Sequence, residues 1–373
     1  MTPSPENRPL RLVVTGGGTG GHLFPGIAVA EKIMAERPGS EVLFIGTGRQ
    51  VDNRVLGERP FRTAVLECGG VKGKSVAAAL GALFRLPLAF FKAVSILRGF
   101  GPDLVLGVGG YVTGPVLLAA KTVGIPTCIH EQNSIPGLAN KLTGRFVDRV
   151  FLSIPGSEGY FPSDRIRLTG NPVREEIMAI RDREPGKDGP VLLVMGGSQG
   201  AHRVNELVSE GLGEIRDQLP AGFRVIHQTG NRDEAMVRAG YAAAGIAAEV
   251  APFITDMAAV YGRADLVVSR AGATSLAEIC VLGKPSILIP YPFAADNHQE
   301  YNARMVADRG GAIVLCEAGL ESGPLAAAIL RIITDPGEMK RMGDAAREVA
   351  FPEAAAAIVK ECLTLIGTKE GNV

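Results

Sequence analysis

With 373 residues, 46% of them hydrophobic and 21% charged, the chain can bury a sizeable core and has room for about two domains of ordinary size. Thirty-nine Lys and Arg balance thirty-nine Asp and Glu, so no global field favours nucleic acid or a strongly acidic partner, and any anion site must be local. The cysteines, Cys68, Cys128, Cys280, Cys316 and Cys362, are odd in number and widely spaced, without a C-x-x-C pair or a zinc spacing, which fits a reducing compartment. The polar start Met1 to Leu10 does not read as a secretory signal, and no apolar run is long enough to span a bilayer.

In chain order, short apolar runs alternate with segments of helical period. Leu10–Thr15, Glu41–Gly46, Asp103–Val108 and Thr127–His130 read as strands, with helices such as Phe24–Glu36 and Pro115–Val123 between them. That alternation predicts a parallel, helix-covered sheet. The pattern begins again with Pro190–Met195, Arg224–Gln228, Asp265–Ser269 and Ser286–Pro290. The expected fold is therefore α/β with two Rossmann-like domains. Between them, Ser153–Gly189 carries Pro155, Pro162, Pro172 and Pro185, and the boundary is expected near Asn171. The expected organisation is a first domain over 1–170, a second over 171–347 and a helical tail over 348–373.

Both halves open with strand, glycine loop and helix: Gly16-Gly17-Gly18-Thr19-Gly20-Gly21-His22 in the first, Gly196-Gly197-Ser198-Gln199-Gly200-Ala201 in the second. A third loop runs from Gly109 to Pro115. Glycines let backbone amides approach a phosphate, and a helix N-terminus adds partial positive charge. Three such loops point to a ligand with several anionic groups. Two other nucleotide sites are weaker. Gly16, Gly18 and Gly21 satisfy G-x-G-x-x-G, but the second strand ends in Gly46-Thr47-Gly48-Arg49, without the acid that would hold a dinucleotide's ribose. Gly69-Gly70-Val71-Lys72-Gly73-Lys74-Ser75 resembles a Walker loop, but it is one residue too short and joins no clear strand to a helix.

The blocks Gly17-Gly18-Thr19-Gly20-Gly21-His22, Gly107-Val108-Gly109-Gly110-Tyr111, His130-Glu131-Gln132-Asn133, Gly170-Asn171-Pro172-Val173-Arg174, Gly196 to Ala201 and Arg270 to Glu278 resemble, in wording and order, the MurG family of GT-B glycosyltransferases (family 28). The resemblance runs from about Leu10 to Arg347. It implies a GT-B architecture, two Rossmann-like domains with parallel sheets facing a central cleft. It also implies transfer of N-acetylglucosamine from UDP-GlcNAc to the muramyl unit of lipid I, with inversion, to give lipid II in peptidoglycan synthesis. A UDP-GlcNAc 2-epimerase of similar architecture is the alternative, and a nucleotide-sugar-binding regulatory module without turnover is another.

Such a transfer needs a base for the acceptor hydroxyl and a hold on the departing diphosphate. His22, at a helix start where the dipole favours the neutral ring, is the expected base, with Glu131 as the substitute. His130 is expected to support its strand end. The resemblance places Thr19, Gly20, Gly21 and Asn133 near the donor sugar or the cleft. It carries Arg174, Ser198, Ile254, Ala273, Thr274, Ser275, Leu276, Ala277, Glu278 and Gln299 into the UDP-sugar site. Glu278 would accept two hydrogen bonds from the ribose diol, Ser198 with its neighbouring amides would hold the diphosphate, and Ile254 would set a backbone group against uracil. His298, beside Gln299, departs from relatives that carry another amide there. Arg270 is read as a basic neighbour of the ribose block or a surface side chain. No Asp-x-Asp pair occurs, so no metal and no other cofactor is expected, and amides, hydroxyls and helix dipoles would stabilise the leaving group.

Because the implied acceptor carries a long lipid, a membrane face is expected. Val76–Phe100 is rich in Leu and Phe but interrupted by Arg85, Lys92 and Arg98, which suits an interfacial patch. Arg85, Lys92, Phe90 and Phe91 are its expected contacts with an anionic membrane surface. The expected location is peripheral, on the cytoplasmic face of the membrane, near other cell-wall synthesis proteins and without nucleic acid.

Overall fold

The computed structural model describes residues 8–18, 20–49, 52, 55–57, 59–67, 76–183, 189–197 and 200–370, of which 76–85, 369 and 370 are described by backbone alone. The Walker-like stretch, Thr19 and Ser198 lie outside the described residues, as does the side chain of Arg85. The chain divides into two compact units, Met1–Arg174 with Pro352–Val373, and Glu175–Phe351.

The first unit is built on seven parallel strands, β1 (Arg11–Gly16), β2 (Glu41–Gly46), β3 (Arg62–Val65), β4 (Leu104–Gly109), β5 (Thr127–Glu131), β6 (Arg149–Leu152) and β7 (Ile166–Leu168), in the order β3-β2-β1-β4-β5-β6-β7. The central strands are buried along almost their whole length, as expected of a parallel sheet covered by helices on both faces. Among its helices are α1 (Gly20–Glu36), α2 (Val76–Phe100), α3 (Thr113–Thr122) and α4 (Leu138–Thr143). Gly26 lets α1 lie against the sheet, because a Cβ there would come within 2.7 Å of Val14. The C-terminal helix Ala354–Glu370 is no separate tail. It packs on α1 through buried Ile358, Val359, Cys362, Leu365 and Ile366, and Arg149 and Arg167 both pair with Glu361.

The second unit repeats the plan with six parallel strands, β8 (Val191–Met195), β9 (Arg224–Gln228), β10 (Ala248–Ala251), β11 (Leu266–Ser269), β12 (Ser286–Leu288) and β13 (Ala312–Val314), in the order β10-β9-β8-β11-β12-β13. Its helices include α5 (His202–Glu214), α6 (Glu234–Ala244), α7 (Met257–Arg263), α8 (Ala273–Leu282) and α9 (His298–Ala307). In each sheet the strand order reverses direction once, between β1 and β4 and between β8 and β11. In open α/β sheets the crevice beyond the carboxyl ends of such a pair is where ligands bind. The glycine loops after β1, β4 and β8 all lie at these ends.

Each unit also buries one neutral histidine. Burial lowers His130 in the first unit to about 4 and His227 in the second to about 3. The unfolded chain takes up these two protons near the ordinary histidine pKa of about 6.5, so their contribution to stability is complete above that pH. It is lost as pH falls through the window from about 6.5 toward about 4 and 3, at roughly 1.4 kcal/mol per pH unit for each histidine. The urea midpoint should therefore drop between pH 7 and pH 5, and His227→Gln should flatten the slope. A midpoint independent of pH over that range would show that the two rings are not held neutral.

Candidate active site

In the first unit, β1 ends at Gly16 and the chain turns through Gly17 and Gly18, with φ of 143° and 91°, into α1. A side chain at Gly16 would collide with Val108, and one at Gly110 with the Gly17 carbonyl, so the loops after β1 and β4 touch backbone to backbone. His22, half-buried in the first turn of α1, lies against Gly109, where a Cβ would come 3.0 Å from its Nδ1. Its Nδ1 is 3.2 Å from Oε1 of Gln132, just past the end of β5.

The first glycine loop does not offer all its amides to an anion. Buried Asp52 accepts from the Gly18 N–H at 3.0 Å and from the Thr47 hydroxyl at 2.7 Å, so a carboxylate pins the loop from beneath. An acid does follow β2, but it serves the loop backbone. Gly20 makes room for the Phe24 ring, and the Arg174 guanidinium stacks on that ring at 4.2 Å. Arg174 is buried and belongs to the first unit, although it was expected on the donor side.

Glu131 is a poor substitute base. It is 1% exposed, and its carboxylate accepts from the N–H and Nδ2 of Asn133, the N–H of Gly137 and Nδ2 of Asn140 at 2.9 to 3.3 Å. A buried carboxylate with four donors is a fastener for the turn that follows β5, because releasing any donor would leave charge unsatisfied. Asn133 is held in place by this same turn.

In the second unit, Gly196 and Gly200 permit a turn in which any side chain would strike the Ala201 N–H or the Thr229 carbonyl. Among the described residues, neither N-cap residue, Ala201 of α5 or Gly272 of α8, makes a side-chain cap, and both helices begin beyond the carboxyl ends of β8 and β11, an arrangement suited to an anion. Glu278, in the middle of α8, is 5% exposed and accepts from the Tyr261 hydroxyl at 3.2 Å. Thr274, Ser275 and Ala277 are half-buried, whereas Ala273 and Leu276 are buried and can offer a ligand only backbone. Gln228 donates to the Gly197 carbonyl at 3.0 Å and accepts the Ile254 N–H at 2.9 Å. Gln299 accepts the Tyr291 N–H at 3.0 Å. Arg270 is no surface side chain: it donates to the carbonyls of Ile289 and Pro290 and pairs with Glu317. Among the described residues, no group of three or more His, Cys, Asp or Glu could hold a metal ion.

The positioning residues Asp52, Gln132, Gln228 and Tyr261 escaped the sequence reading. Only Gln132 stood inside a noticed block.

The glycosyltransferase family 28 N-terminal domain matches residues 12–152, and the family 28 C-terminal domain matches 191–358. A protein of Desulfotalea psychrophila named UDP-N-acetylglucosamine–N-acetylmuramyl-(pentapeptide) pyrophosphoryl-undecaprenol N-acetylglucosamine transferase is 48% identical, over 98% of this chain and 99% of its own length. A protein of the same name from Citrifermentans bemidjiense is 46% identical over 94% and 98%. The crystal structure of Acinetobacter baumannii MurG has a TM-score of 0.75 at 30% identity, covering 95% of this chain and all of its own. A UDP-N-acetylglucosamine 2-epimerase structure reaches 0.68 at 16% identity, over 97% and 98%, and shares the fold alone. With both domain models matched and relatives this similar along almost the whole chain, the protein belongs to glycosyltransferase family 28.

Proposed function

We propose that the chain transfers N-acetylglucosamine from UDP-GlcNAc to the C4 hydroxyl of the muramyl unit of lipid I, giving lipid II with inversion at the sugar. The observation that carries this reading is the near full-length identity, 44–48%, to proteins named as that transferase. The first unit takes the acceptor and the second the donor. His22 removes the acceptor proton as the hydroxyl attacks the anomeric carbon, the C1–O bond to UDP breaks, and UDP departs with the bonding pair. Glu278 accepts the ribose hydroxyls, and the Ile254 carbonyl accepts from the uracil imide. The amides at the starts of α5 and α8, with Ser198, hold the diphosphate. Gly20, Gly21, Thr19, Asn133 and Gln299 keep the sugar contacts that the resemblance implies, and Arg174 adds charge. Glu131 has a positioning part. UDP should appear only when a lipid-linked muramyl acceptor is supplied. Donor conversion without acceptor would favour the epimerase, and tight UDP binding without turnover on any acceptor would favour a regulatory module.

The acceptor's lipid calls for a membrane face, and α2 supports one. Ala89, Ala93, Leu97 and Phe100 face the core, while Leu88 and Phe91 are 71% and 68% exposed and Lys92 is exposed beside them. Phe90 is turned partly inward against the core and is a weaker contact than expected. Leu118 on α3 and Leu138 and Leu142 on α4, helices that pack in succession beside α2, are exposed as well. No helix among the described residues is long and apolar enough to cross a membrane. Such a surface binds by apolar insertion with basic side chains on anionic headgroups, each worth about 1 kcal/mol. Arg85→Glu with Lys92→Glu should weaken binding to anionic vesicles about tenfold or more and leave UDP affinity intact. Unchanged vesicle binding and salt dependence would move the membrane face elsewhere.

A further inference from the structure

We infer that Gln132, itself oriented by His130, is a positioning residue that fixes His22 in the one tautomer able to act as a base through Nε2. The inference rests on the reading of His22 as the base. Gln132 is 2% exposed, and its amide nitrogen lies 3.0 Å from the Val108 carbonyl, 3.2 Å from the His130 carbonyl and 3.1 Å from His130 Nδ1. Carbonyl oxygens only accept, so the NH2 end must face them. A flipped amide would set oxygen against two oxygens in a buried site, at the cost of unsatisfied polar groups.

That orientation turns Oε1 toward His22 Nδ1 at 3.2 Å. An amide oxygen cannot donate, so Nδ1 carries the proton and Nε2 of the neutral ring keeps its lone pair.

A second layer enforces the first. His130 Nε2 lies 3.2 Å from the Gly170 carbonyl, an acceptor, so that nitrogen is protonated, with Ser153 Oγ also 2.9 Å away. Because burial keeps His130 neutral, its Nδ1 has no proton and accepts from Gln132. From Gly170 through His130 and Gln132 to His22, every donor meets an acceptor, and no member can flip alone without pairing like with like. Gly109, lacking a side chain, lets the imidazole rest against bare backbone, which limits its rotation.

The direct test is 15N NMR of the histidine-labelled full-length protein at neutral pH, in which ring-nitrogen shifts distinguish protonated from unprotonated sites. The chain has five histidines, and His22→Ala assigns the His22 pair by its disappearance. The inference expects protonated Nδ1 and unprotonated Nε2 at His22 in the wild type, and a mixture in Gln132→Met. Turnover of Gln132→Met at saturating substrates should fall roughly ten- to hundredfold with UDP affinity unchanged, and in the His22→Ala background the same change should cost nothing further. A proton on Nε2 in the wild type would overturn the inference whatever the variants do. So would an added loss in the double variant, which would mark Gln132 as merely structural. Full turnover in folded His22→Ala would instead remove the base reading, leaving the tautomer result standing by itself.

Discussion

His22→Ala should lower single-turnover transfer by about 10²–10⁴-fold while UDP binding stays nearly unchanged, because a general base acts mainly in the transition state. The geometry sharpens that expectation. His22 lies in the first unit, whereas Glu278 and Ile254, proposed for the nucleoside, lie in the second. The Glu131 carboxylate is engaged elsewhere, accepting four hydrogen bonds from the turn after β5. Near-normal turnover in a folded His22→Ala protein would contradict the assignment. A parallel loss of melting temperature and rate would mark the ring as structural.

Glu278→Ala should weaken UDP binding roughly ten- to hundredfold, the expected cost of about 1.5–3 kcal/mol for a hydrogen bond to a charged group. A deoxyribose analogue of UDP should lose less, because it has already given up part of the contact. Buried Tyr261 donates to the Glu278 carboxylate and fixes its rotamer, so Tyr261→Phe should produce a smaller defect in the same direction. Isothermal titration of the two ligands against the three proteins checks both statements. Equal losses for UDP and its deoxy analogue would show that Glu278 does not read the ribose.

The central strands were legible because a parallel strand buried on both faces is written as a continuous apolar run, as in Leu12-Val13-Val14 or Val191-Leu192-Leu193-Val194. Edge strands such as Arg62–Val65 and Ile166–Leu168 were not, because they are partly exposed and their composition resembles a loop. The C-terminal helix could be read as a helix, but its place beside β5 could not. The contact of Cys362 with Cys128 spans 234 positions, and nothing local encodes it.

The same division holds within the site. Glycine loops announce themselves because only glycine tolerates the φ values of Gly17, Gly18 and Gly109, and His22 is marked by following one of them. The residues that hold these loops are ordinary polar side chains whose meaning appears only on folding. Asp52 meets Gly18 across 34 positions, and Gln132 meets His22 across 110. Glu131 illustrates the converse. A carboxylate in a strand-end block has the chemistry of a base, but its burial and its four donors come from a turn whose shape the sequence does not display.

The most direct test of the central claim is transfer of radiolabelled N-acetylglucosamine from UDP-GlcNAc to a water-soluble lipid I analogue by the full-length protein. The account predicts a β-1,4-linked disaccharide product formed in step with UDP and dependent on the acceptor. Label remaining in nucleotide sugar, whether unchanged or as its 2-epimer, with acceptor present in excess, would contradict it.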